Sequence, residues 1–472
     1  MHTLTTRTDA HGNPISGPHD AVDRYDTAVD HLLAYRNEVL DAMTSLATDE
    51  PDFAMGQVLA AYLSLISTDV PDLAAAHEIA AHLDTLILNE REAAHRTALG
   101  SWLSGDWHGA ADRLDALLIR WPADVLGLLV GHQLDFFVGD AANLRDRAGR
   151  SLPAIDPAHP HIGFVRGMYA FGLEESGHYE LAEHHGLAAL DRNRDDVWAT
   201  HAVTHVYEMQ GRIDEGLRFL RGTQADWAEG NLFTVHNWWH FALYLLEAGR
   251  EHEALGVYDR NVHNEASGCV PMEMLDASAL LWRLRLDGVD VGGRFTPLAE
   301  AWTRLTSEAP WYVFNDLHAV MAFAGAGRFA DARAVIDRLD TYVAVAAPSS
   351  NVRTTAEVGL PACRSVLAFA EGRHADVVAE LLPVRRILTR FGGSHAQRDA
   401  VQRTLVVSAI RANRLDLARA LINERLGVRE TSVWSWRRRG EVLGASGDAD
   451  AAAALAERQA ATHESRFAVA AR

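Results

Sequence analysis

Four histidines stand in two pairs on one short stretch of the chain: His201 with His205, and His236 with His240. Each pair is spaced i, i+4, which on a helix stacks the two rings on one face about a turn apart. Paired neutral imidazoles are ligands for a divalent transition metal, and an ion with an open coordination position can activate water for hydrolysis. The segments read HAVTH and HNWWH rather than HExxH, so the glutamate base of a zincin is missing. Glu208, one turn beyond His205, is the residue that would serve instead. With 24 histidines in 472 residues, chance alone supplies about one such pair, so the count proves little. What exceeds chance is that the pairs fall on consecutive helical segments. Two other readings stay open: a polar groove that binds a peptide or small ligand through imidazole hydrogen bonds, and histidines satisfied by their neighbours in a packed core.

The elements that carry the pairs repeat along the chain. Turn signals built on glycine follow an apolar helical stretch and precede an Ala-rich one at Gly105, Gly139, Gly177, Gly211, Gly249, Gly327, Gly372 and Gly447, with Gly288 and Asn413 as weaker members. The first four intervals alternate between 34 and 38 residues. Two helices per unit at that period predict an all-α, tetratricopeptide-like helical-hairpin solenoid of about ten to twelve hairpins. The glycine ends the first helix in a left-handed turn, and small residues such as Ala182, Ala254 and Ala332 let the second helix approach closely. Residues 1–20 are polar, with two glycines and two prolines, and predict a mobile lead-in. Residues 21–339 read as the helical array with the His-rich groove. Residues 340–362 read as a loop or a break, residues 363–472 as C-terminal repeats, and 262–272 as an irregular insertion.

Taking each turn glycine as a ruler, positions 13, 10, 6 and 3 before it form one stripe, which in such arrays lines the concave surface. The stripe holds His201, His205 and Glu208 in one hairpin and His236 and Trp239 in the next, with His240 at its edge. It holds Glu92 and His95 before Gly105, and Glu174 before Gly177. Asp316 and His318 lie on a later first helix, where His318 would extend the groove. Asp276, a lone carboxylate in an apolar helix, would neutralise a groove histidine or cap its helix.

The net charge, 44 − 64 = −20, disfavours nucleic acid and anionic membrane surfaces as partners and leaves a protein segment or small-molecule ligand. Two distant cysteines exclude a disulfide framework or zinc ribbon. With no apolar signal segment and no apolar run long enough to span a bilayer, a cytoplasmic protein is the expectation.

Tyr169 to Ser176 (YAFGLEES), His201 to Arg212 (HAVTHVYEMQGR), His236 to His240 (HNWWH), the helix from Leu275 (LDASALLWRL) and Gly393 to Asp399 (GSHAQRD) together resemble the tetratricopeptide repeat protein 38 family. The resemblance implies a tetratricopeptide-like array over most of the chain and no settled activity. Gly216 stands where these repeats usually have alanine, and most units lack a closing proline, so standard peptide-clamp residues do not transfer.

Overall fold

The computed structural model describes residues 6–306, 310–448 and 455. Among them, eleven sequential helix pairs run from His19–Leu33 and Glu38–Asp49 to His395–Arg411 and Leu415–Val428, and Val433–Ala445 follows. The chain is an all-α superhelix of helical hairpins, as its period implies. Every turn glycine of the repeat has positive φ, between 68° at Gly211 and 82° at Gly447, and Asn413 takes the same conformation at 54°. Gly216 has a local reason. A Cβ there would run into the ring of Tyr244, which is fully buried and donates to the Thr204 carbonyl at 2.5 Å. Ala182, Ala254 and Ala332 are fully buried at the helix contacts, where a larger side chain would hold the helices apart.

Two expectations need correction. The lead-in is built rather than loose: Thr6–Thr8 and Pro14–Ser16 pair antiparallel, Ile15 is fully buried, and the Ser16 amide donates to Glu92 Oε1 at 2.7 Å. Residues 1–5 of that segment lie outside the described residues. The stretch read as a loop or break is mostly helical. Phe329–Val345 runs into it, Ser350–Thr354 and a π-turn at Thr355–Gly359 follow, and Leu360–Ala370 begins before it ends. Its Pro and Ser residues cap and punctuate helices, with Ser349 accepting from the Val352 amide, and do not unravel them. Of the C-terminal repeats read over 363–472, the part beyond 448 lies outside the described residues, apart from Leu455.

Early turns are tied to late segments. The Ser350 amide donates to the Gly105 carbonyl at 2.9 Å, Asn315 Nδ2 to Thr68 Oγ1 at 2.9 Å, and Trp282 Nε1 to Thr404 Oγ1 at 2.9 Å. Later segments thus lie against earlier hairpins, and the start of His395–Arg411 is bonded to Glu175 at the end of Ile162–Glu175. No helix among the described residues is long and apolar enough to cross a membrane.

Candidate functional site

His201 and His205 project from Val197–Met209, and His236 and His240 from Thr234–Glu247. Asp196 caps the first of these helices by accepting from the Ala199 amide at 2.9 Å, which fixes its start and so its rotation. One ring nitrogen from each of the four histidines lies within 4.8 Å of the others. His236 Nε2 is 3.1 Å from His201 Nε2 and 3.2 Å from His240 Nε2. A tetrahedral ion with zinc–nitrogen bonds of ~2.0–2.1 Å has donor–donor edges of about 3.3 Å.

The outer nitrogens meet carboxylates. His236 Nδ1 is 2.7 Å from Asp276 Oδ2, and His240 Nδ1 is 3.0 Å from Glu208 Oε2. His205 Nδ1 is 3.3 Å from Glu174 Oε2, without the alignment of a hydrogen bond. Assigned from these partners, Nδ1–H of His236 donates to Asp276 and that of His240 to Glu208. Both Nε2 atoms then face each other lone pair to lone pair at 3.2 Å. That contact is favourable only with a proton or a metal ion between the rings. Carboxylates behind ligating histidines are the usual outer shell of a metal site, where they fix the tautomer and orient the ring.

Burial sets the protonation states. His201 and His240 are held well below the ordinary imidazole range, first by burial and then by neighbouring histidines, and His205 is lowered to about 4 by burial. These are neutral rings, the form that ligates. Burial also raises Glu208. Burial, and then Glu175, pushes Glu174 well above the carboxylate range. Glu175 is held low despite its burial, because His395 and Arg398 lie against it. Trp239 stacks on His236 with ring centroids 5.3 Å apart, and Arg283 lies over the other ring of that contact, 5.4 Å from the Trp239 centroid.

An open concave groove is not what these residues line. Glu92, His95, Glu174 and Trp239 are fully buried, and Asp276, His318 and Asp316 nearly so. The period identifies the inner face of each first helix but not the helices that fill the hollow. Only part of the stripe converges. Glu174, Glu208, Trp239 and Asp276 touch the four histidines. Glu92 instead closes a capping box with Asn89 and holds the N-terminal hairpin, while His95 Nε2 pairs with Asp124 Oδ2 at 2.9 Å beside Arg91. Asp316 accepts from Arg338 at 2.7 Å and is raised to about 6 by burial. His318 Nδ1 donates to the Phe314 carbonyl at 2.7 Å, so it does not extend the site. Glu208 lies behind His240, where it orients a ring, and its contact there is not that of a base facing metal-bound water.

Sequence reasoning missed Glu175 and His395, although both lie in motifs it singled out, because no spacing links residue 175 to residue 395. It also missed a second group of imidazoles, His11, His159 and His161, whose ring nitrogens also lie within 4.8 Å of one another and where His161 Nε2 pairs with Asp30.

No protein-family model matches the chain. Among solved structures, a Rap protein complexed with competence and sporulation factor is similar at 11% identity over 87% of this chain and 100% of that one, with a TM-score of 0.42. The human IFIT1 dimer with m7Gppp-AAAA is similar at 13% identity over 94% of this chain and 90% of that one, with a TM-score of 0.36. Both likenesses are distant.

Proposed function

We propose that this is a metal-binding helical-repeat protein in which His201, His205, His236 and His240 hold one divalent transition-metal ion, and that the surrounding repeat surface receives a protein segment or small-molecule ligand. The carrying observation is the inward convergence of four imidazoles, two of them held by Asp276 and Glu208 with their Nε2 atoms facing each other at 3.2 Å. Four nitrogen donors, two of their contacts at 3.1 and 3.2 Å, suit zinc, and a complete four-donor sphere is the pattern of a structural rather than a catalytic ion. The ion would lock two consecutive hairpins together and offset the buried carboxylates behind the rings. The motifs that resemble the tetratricopeptide repeat protein 38 family carry these same histidines, which supports a place in that family; a cytoplasmic setting belongs to the same reading.

The second reading, a metal-dependent and hydrolytic enzyme, draws on one feature. His236 is the ligand with solvent contact, its side chain 13% exposed, so it is the ring that could yield a coordination position. Metal analysis of protein purified without chelator tests the main reading. At least one zinc, iron or manganese ion per chain is expected, lost in the His205→Ala and His240→Ala variants. Protein that stays metal-free after incubation with zinc refutes it. Ester or phosphoester hydrolysis abolished by those variants would favour the enzyme.

A further inference from the structure

Two motifs that supply none of the four histidine ligands meet at the edge of that site. Glu174 and Glu175 end the helix Ile162–Glu175, and His395 opens His395–Arg411, where Ser394 and Gln397 form a capping box. One ligand atom from each of Glu174, Glu175 and His395 lies within 4.8 Å of the others. His395 Nδ1 is 3.1 Å from Glu175 Oε2. Glu175 also accepts from the His395 amide at 2.8 Å and from Arg398 at 3.2 Å. Glu174 is different: it is fully buried and neither of its oxygens has a hydrogen-bond partner. A buried carboxylate left so is strongly disfavoured unless a cation or proton meets it. The ring between the two groups is His205, whose Nδ1 lies 3.3 Å from Glu174 Oε2 and 3.9 Å from Glu175 Oε1, and neither of whose nitrogens makes a hydrogen bond.

We propose that Glu174, Glu175 and His395 hold a second divalent ion on the Nδ1 side of His205, so that the centre is dinuclear with the His205 ring between its ions. The inference rests on the four-histidine reading for its neighbour. Two carboxylates and an imidazole are a harder donor set than four imidazoles and suit manganese or iron(II) as well as zinc. With both ions bound, His205 uses both ring nitrogens, and its ring proton passes to bulk water. His395, with 38% of its side chain exposed, gives the ion a route from solvent. Arg398 neutralises one carboxylate charge, which leaves the other for the ion.

The test is metal content per chain after reconstitution of stripped protein with zinc and manganese, together with loss of the free manganese signal in electron paramagnetic resonance. Two ions per chain are expected in the wild type. One is expected in Glu174→Gln and in His395→Asn, each checked for native circular dichroism, and the manganese-binding ion is the one lost. The His236→Ala/His240→Ala double variant should lose the other. One ion per chain, unchanged by Glu174→Gln and His395→Asn, overturns the dinuclear centre and leaves the four-histidine site standing. No ion at all overturns both.

Discussion

Replacing Asp276 with alanine separates a metal centre from a packed polar core. Asp276 is 1% exposed, and its Oδ2 holds His236 Nδ1 at 2.7 Å. Removing a carboxylate behind a metal-bound histidine typically costs 10–100-fold in metal affinity. An ion that binds only the folded chain stabilises it by about 2.7 kcal/mol at a free concentration 100 times its dissociation constant. At that same free concentration, a tenfold weaker site retains about 1.4 kcal/mol and a hundredfold weaker one about 0.4 kcal/mol. The metal-dependent part of the stability should therefore fall by about 1.3–2.3 kcal/mol. The assay is urea unfolding of wild type and Asp276→Ala at buffered free zinc and again with chelator, so that any loss in the metal-free protein is subtracted. Asp340→Ala, which breaks an exposed pair with Arg364, is the control and should leave the metal-dependent part unchanged. If chelator changes the stability of wild type and Asp276→Ala equally, the carboxylate does not support a ligand and the reasoning fails.

Other consequences are as direct. Gly216→Ala should destabilise the protein by about 1–3 kcal/mol, because the new methyl meets a Tyr244 ring pinned by its bond to Thr204; a melting temperature equal to wild type would contradict the packing. His132 is buried between Phe171 and Trp198 and lowered to about 3, mainly by burial and then by Arg147. The unfolded chain takes up this proton below pH 6.5 and the folded one does not, so the stability His132 preserves is complete above that pH and is lost as pH falls toward 3. His132→Phe should remove up to about 1.4 kcal/mol per pH unit from the slope of stability in that window, and an unchanged slope from denaturant titrations would oppose the assignment. Asn89→Ala removes the cap of Glu90–Leu103 and a donor to Ser16 Oγ, at a cost of about 1 kcal/mol, and should speed proteolysis within residues 6–16; equal cleavage rates would show the hairpin is held elsewhere.

The repeat was legible because its signals are local. A left-handed glycine recurring at roughly the length of one hairpin, often with a small residue five positions on, needs only its own hairpin to make sense, and all of those glycines adopt the expected backbone. The two histidine pairs were legible for the same reason, since i, i+4 spacing fixes a face. That they face each other across hairpins followed from the register of consecutive repeats. What a single sequence could not convey is which distant segment fills the hollow. Nothing within YAFGLEES or GSHAQRD says that Glu175 meets His395, and nothing in Glu92 says that it clamps Ser16 instead of facing a ligand. The stripe was read as an open groove, and its side chains are buried, in part because Glu175 is met by His395, more than two hundred residues away.

The ties between early turns and late helices change how such an array should melt. A stretched solenoid with contacts only between adjacent units frays from its ends and yields repeat by repeat. Here Gly105 is bonded to Ser350, Thr68 to Asn315, and Glu175 to the start of the helix at His395. Those links make the array behave like a clasped ring rather than a spring. Loss of one late helix breaks its tie to an early repeat, so the whole should come apart in a single step, and its assembly has to wait for contacts more than two hundred residues apart.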